Sequence, residues 1–141
     1  MMNEEEVRQM MATLDFYRGQ LEGLAEQGQI IQMSLQENIR ARETLKEYMN
    51  AGEGSEILVP VGGDSFVQAK VSSSDKVLVG MGSGITLEKT IDSALETIEK
   101  RIEELTQTAS TIAEKRSQME AEHTKLTQKL QETYQQMQQT F

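Results

Sequence analysis

The sequence predicts an α+β chain: a long antiparallel two-helix coiled coil joined by two β-hairpins whose sheets other subunits complete. Three observations carry that expectation. Heptad ladders flank the middle of the chain on both sides, and the middle itself alternates with period two. The 32 residues from Glu56 to Leu87 are also too few to enclose a core of their own.

The first ladder runs Val7, Met10, Leu14, Tyr17, Leu21, Leu24, Gly28, Ile31, Leu35, Asn38, Arg42, Leu45, Met49. Its spacings alternate three and four without a slip, which specifies a left-handed coiled coil. The seam is clean from Val7 to Leu24 and poorer at Gly28, Asn38 and Arg42. There Ile30, Met33 and Ile39 broaden or shift the apolar stripe, as packing against another subunit would require. Asn50-Ala51-Gly52 supplies a helix stop, and Gly54-Ser55 lets the chain turn.

Four strands in two hairpins follow. Ile57, Val59 and Val61 alternate with Leu58, Pro60 and Gly62, and Val67, Ala69 and Val71 alternate with Phe66, Gln68 and Lys70. Val77, Val79 and Met81 share one face of the third strand. Gly62-Gly63-Asp64 makes a short loop and Ser72 to Asp75 a polar turn. Gly82-Ser83 has the composition of a type II′ connection. Two isolated hairpins leave unpaired edges that soluble proteins cover or pair with another chain. The chain has no cysteine for a disulfide and no metal-ligand cluster. Oligomerisation is the remaining way to finish the sheets, so residues 52–87 read as an assembly module between helices at 1–51 and 88–141. Its assembly residues are Ile57, Val59, Val61, Phe66, Val67, Val77, Val79 and Ile85.

The second ladder is more regular: Ile91, Leu95, Ile98, Ile102, Leu105, Ala109, Ile112, Arg116, Met119, His123, Leu126, Leu130, Thr133, Met137. Charge pairs at helical spacing, such as Glu96 with Lys100 and the acids around Arg101, decorate its exposed side. Ladders of similar length on either side of a β insert predict that one helix folds back on the other. Setting Met49 beside Ile91 places Leu14 opposite Leu126, Met10 opposite Leu130, Tyr17 opposite His123 and Gly28 opposite Ile112. Arg42 then faces Ile98 and Arg116 faces Leu24, with their stems along the seam and their heads in water.

Composition excludes several classes of function. Aromatic residues are 4%, tryptophan is absent and proline occurs once, which fits exposed helices better than a globular core. A net charge of −9, with 23 acids interleaved among 14 bases, disfavours nucleic acid and anionic membrane surfaces. No apolar run approaches the roughly 20 residues that span a bilayer, and MetMetAsnGluGluGlu is no signal peptide; the expectation is a soluble, cytoplasmic chain. His123 is the only histidine and sits on the seam without converging partners, so its expected role is structural. Gly80-Met81-Gly82-Ser83-Gly84 lacks the spacing of nucleotide-binding loops, and no base is placed to activate Ser65. No enzyme and no cofactor are expected.

The two chain ends meet at one tip of the expected coiled coil. Val7, Met10, Met11 and Leu14 on one helix and Leu130, Tyr134, Met137 and Phe141 on the other supply more apolar surface than a two-helix seam can bury. Met11 and Tyr134 fall off the seam altogether. Flexible methionines suit surfaces that accept varied apolar partners. An ordinary frayed helix end is the alternative reading of the same residues.

With those elements in place, the chain resembles the alpha subunits of archaeal prefoldin. The residues that carry the resemblance are GluIleLeuValProValGlyGlyAspSerPheValGlnAlaLysVal at 56–71 and LysValLeuValGlyMetGlySerGlyIleThrLeuGluLys at 76–89. Two hairpins resemble the alpha class, whereas the beta class has one. The resemblance implies an ATP-independent cytosolic chaperone, a hexamer of two alpha and four beta subunits whose hairpins form a double β-barrel platform. It also implies that distal coiled-coil ends hold unfolded polypeptides and pass them to a group II chaperonin. The competing expectation is a structural coiled-coil tether or spacer with one defined partner.

Overall fold

The structure is a computed structural model, and it describes residues 4–73 and 75–139. A helix α1 (Glu4–Ala51) leads into strands β1 (Glu56–Gly62), β2 (Ser65–Lys70), β3 (Lys76–Gly82) and β4 (Ile85–Thr90), and helix α2 (Ile91–Gln139) follows. The chain divides into two compact units. One joins the segment up to Met33 with the segment from Thr106, and the other spans Ser34–Leu105.

The first unit is an antiparallel coiled coil. Rising positions on α1 meet falling positions on α2: Met10 shares a groove with Lys129, and Leu24 shares one with Lys115. A Cβ added to Gly28 would lie 3.8 Å from Ile112 Cγ2, the pairing that the heptad register predicts. Val7, Met10 and Thr133 are buried, and Leu14, Tyr17, Leu21, Leu24, Ile31, Ala109, Ile112, Met119, His123, Leu126, Leu130 and Met137 are half-buried. Thr133 keeps its hydroxyl satisfied inside the seam by donating to the Lys129 carbonyl at 2.8 Å. Arg116, whose head the register sends into water, is exposed and pairs with Glu120, one turn on along its own helix, at 3.1 Å. A seam position can hold a long basic side chain only by letting its head turn outward.

The second unit holds both hairpins, the end of α1 and the start of α2. Gly52, at φ 81°, ends α1 in the left-handed region, and the Ser55 amide donates to the Gly52 carbonyl at 3.3 Å. The chain then clips itself to the far end of the first hairpin. Gly54 N–H donates to the Val71 carbonyl at 2.7 Å, and Val71 N–H donates to the Ser55 carbonyl at 2.9 Å. Tyr48 Oη donates to the Ser73 carbonyl at 2.6 Å. At the other end of the unit Thr90 caps α2 by accepting from the Ser93 amide at 3.2 Å, while Ile91 N–H reaches the Asp75 carbonyl at 3.0 Å. Residues 88–90, read from the sequence as the start of the helix, belong to β4. Their pairing with Val77, Leu78 and Lys76 holds them extended until the Thr90 cap.

Each hairpin is its own two-stranded sheet, β1 with β2 and β3 with β4. Both registers shift at equivalent places, between Pro60 and Gly62 and between Gly80 and Gly82. The loops are Gly63-Asp64 at φ 57° and 58° and Ser83-Gly84 at φ 54° and 76°. Positive φ at both central residues is the signature of a type I′ turn. The type II′ connection expected at Gly82-Ser83 is thus corrected: Gly82, at φ 92°, sits in the strand at the irregularity, and the loop begins one residue later.

The core of this unit is small. Val71, Val79, Ile91, Ala94 and Ile98 are buried, Ala94 completely. Arg101, expected within a surface charge pattern on α2, instead donates to the Gly80 carbonyl at 3.1 Å, tying the second hairpin to the helix. Arg42 lies half-buried, with Nη1 3.7 Å from a Glu99 carboxylate oxygen and Nε 3.2 Å from Glu43.

Candidate functional site

Two surfaces hold apolar side chains that the chain leaves in solvent. The first is the pair of hairpins. Strand alternation with the observed register puts Ile57, Val59, Val67 and Ala69 on one face of the first hairpin and Leu58, Pro60, Phe66 and Gln68 on the other. Val59, Val61, Phe66 and Val67 are exposed, and so are Leu58 at 63% and Pro60. In the second hairpin Val77, Val79, Leu87 and Lys89 share one face, and Leu78, Gly80, Thr86 and Glu88 share the other. Leu78 is 73% exposed, and Ile85, Met81 and Leu87 are exposed with it.

Most of the predicted assembly residues therefore sit where another chain can reach them. Val79 does not. At 7% exposure it belongs to the internal core with Val71, Ile91 and Ala94. Ile57 and Val77 are half-buried beside it in character, so one face of each hairpin is only partly available. Sequence reasoning missed Leu58 and Leu78, the two most exposed leucines of the hairpins. The available signal was that the β1 and β3 strands are apolar at consecutive positions, which marks a strand covered on both faces. Within the same unit, Ala41, Leu45, Val77, Val79 and Ile98 line an open apolar cleft of about 460 Å³.

The second surface is the end of the coiled coil that holds residues 4–14 and 126–139. Of the residues predicted for it, Val7 and Met10 are buried in the seam, and Leu14, Leu130 and Met137 are half-buried. Their heptad positions explain this: the register sets Val7 against Thr133 and Met10 against Leu130. Met11 and Tyr134 are exposed, at 48% and 45%. Both occupy the position just after a seam residue on the same flank of the antiparallel pair, so they stand together on one side of the tip. Phe141 lies outside the described residues. The opposite flank is an open groove of about 550 Å³ in which Glu6, Gln9, Thr13 and Tyr17 face Glu122, Lys125 and Lys129 across Met10 and Leu126. Among the described residues no group of three His, Cys, Asp or Glu side chains is placed to hold a metal ion, and no helix is long and apolar enough to cross a membrane.

Comparison with known proteins places this arrangement. Residues 17–140 match the family model described as Prefoldin subunit. The chain is similar to prefoldin subunit alpha of Methanosarcina barkeri, at 37% identity over 107 residues and 74% of each chain. It is also similar to prefoldin subunit alpha of Methanocorpusculum labreanum, at 30% identity over 96% of this chain and 92% of the relative. Among solved structures, filamentous PFD from Methanocaldococcus jannaschii superposes with a TM-score of 0.68 and 30% identity, covering 82% of this chain and 95% of that one. The prefoldin beta subunit from Thermococcus strain KS-1 shares the fold, with a TM-score of 0.63 at 20% identity over 94% of this chain and 96% of that one.

Proposed function

The chain belongs to the prefoldin family, in its alpha class, and from that premise we propose that it is the ATP-independent holdase subunit of a cytoplasmic chaperone. Members of the family are non-enzymatic chaperone subunits, and alpha subunits assemble with beta subunits. In the proposed complex two copies of this chain join four beta subunits, and the hairpins of all six close a double β-barrel platform.

The observation that carries the assembly half is the exposure of both faces of the first hairpin, with Leu58 and Phe66 on one side and Val59 and Val67 on the other. Two-stranded sheets with apolar residues on both faces and free edges are stable only when other strands and side chains cover them. Hydrophobic burial at about 25 cal/mol per Å² makes that covering favourable.

The client-binding half is supported by Met11 and Tyr134, solvent-exposed on one flank beside a seam that already buries Val7 and Met10. A small, flexible apolar patch binds any one unfolded segment weakly, and several tips acting together raise the effective concentration of contacts. The complex then passes its clients to a group II chaperonin. Removing residues 1–11 and 134–141 should leave the hexamer intact and abolish suppression of client aggregation. Full protection by the trimmed complex would remove the tip from the proposal. A panel of unrelated unfolded clients tests the reaction class: a holdase protects most of them, whereas a structural tether with one partner ignores them.

A further inference from the structure

We propose that the outward side of α1 between Ala12 and Met33 is a docking surface for a cationic amphipathic helix of another protein. Behind the seam that faces α2, α1 carries a second heptad row: Ala12, Phe16, Gly19, Gly23, Ile30 and Met33, with Glu26 filling the place between Gly23 and Ile30. Its spacings again alternate four and three. Phe16, Ile30 and Met33 are exposed at 59%, 63% and 65%, so none of the described residues covers these three side chains. The equivalent row of α2 in the same unit is polar but for Ala121, with Thr111, Glu114, Gln118, Gln128 and Glu132. The feature therefore belongs to α1 alone and is no general property of exposed coiled-coil surface.

The glycines point to a helical occupant. Gly19 and Gly23 weaken the middle of α1, and a Cβ at either would meet open space, so internal packing does not require them. Between Phe16 and Ile30 they leave a flat stretch on which a second helix backbone can lie close, with large side chains at both ends to grip it.

Charge selects the kind of helix. The row and the edge beside it carry Asp15, Glu22 and Glu26 and no base. Arg18 falls on the flank of α1 that carries Met11 and Ala25. The other edge is neutral at Thr13, Gln20 and Gln27, and beyond it Lys115 and Lys129 stand across the groove on α2. A partner with lysine or arginine along one edge, set over Asp15 and Glu22, meets opposite charge there and keeps its cations away from those lysines. Two copies of this chain laid row to row and antiparallel would instead bring the acidic edges together, and laid parallel would leave them facing a neutral edge. The row spans 22 residues, about 33 Å of helix.

The test titrates the full-length chain with a 22-residue amphipathic helical peptide bearing a leucine-alanine row and a lysine edge, followed by fluorescence anisotropy. A twin peptide with glutamate in place of lysine is the control. The lysine peptide should bind saturably and more weakly as salt rises, and the glutamate twin should bind at least about tenfold less well. Ile30→Ser with Met33→Ser should weaken binding by about tenfold or more, and Gly19→Leu with Gly23→Leu should block it while strengthening the helix. Asp15→Lys with Glu22→Lys should reverse the preference between peptides. Met11→Ser with Tyr134→Ser should leave the affinity unchanged, which separates this surface from the tip. Equal binding of the two peptides, indifference to the Ile30 and Met33 changes, or loss on changing the tip residues would each overturn the proposal. So would a dimer of the chain that dissolves when Ile30 and Met33 are replaced.

Discussion

Gly28 on α1 stands against Ile112 on α2, close enough that a methyl group on the glycine would rest 3.8 Å from the isoleucine Cγ2. That distance is ordinary van der Waals contact. Gly28→Ala should therefore add packing without a clash and restore helix propensity at a mid-helix position. Thermal unfolding of the full-length chain should register a gain of about 1 kcal/mol. A larger side chain at the same place, as in Gly28→Phe, should lower stability by about 1–3 kcal/mol, because Ile112 already fills the space. A neutral result for both changes would mean that the two positions do not face each other.

The same register sets Leu14 against Leu126. Leu14→Cys with Leu126→Cys should form an intramolecular cross-link in mild oxidant, since facing seam positions lie within reach of a disulfide. Cross-linking of Leu14→Cys to a cysteine one heptad away on α2, with none to position 126, would shift the register.

What the sequence made legible follows from what each element depends on. The seams of both helices were readable at most positions, down to the small-against-large pair at Gly28, because heptad spacing decides which side chains face inward; Met49 and Arg116 are the two ladder positions left exposed. The limits of the helix were less so. Residues 88–90 have a composition that suits a helix start, yet pairing with β3 holds them in the ladder. Val79 follows the same strand alternation as its neighbours yet is internal, since only the fold decides which hairpin face turns toward Leu45 and Ile98. Leu58 and Leu78 were visible as residues and overlooked as surface, because alternation directs attention to a single face. At the tip, Val7 and Met10 lie on the seam and are covered by it, whereas Met11 and Tyr134 gain their exposure from being one position beyond.

Val79 connects the second hairpin to the helices, and its loss should be felt in stability. Val79→Ala removes two methyl groups from the core shared with Val71, Ile91 and Ala94. The expected cost is about 1.5 kcal/mol, measured by chemical denaturation of the full-length chain. Arg101→Ala should add a smaller loss, about 0.5–1 kcal/mol, because its hydrogen bond to the Gly80 carbonyl is solvent-exposed. Exchange of the β3 and β4 amides should quicken in both variants, while the amides of residues 7–28 stay protected.

Leu58 and Leu78 offer the sharpest test of assembly, because neither supports the fold of the chain itself. Both are largely exposed, so Leu58→Asp with Leu78→Asp should leave helix content and melting of the isolated chain nearly unchanged. In the complex the same carboxylates would be buried against partner strands without a compensating charge, which is strongly unfavourable. Mixing the variant with beta subunits should then yield little or no complex by native mass measurement, where the unaltered chain assembles fully. If the variant assembles as well as the parent, Leu58 and Leu78 lie outside the subunit interface, and in the first hairpin the joining surface must be sought at Val59 and Val67 on the other face.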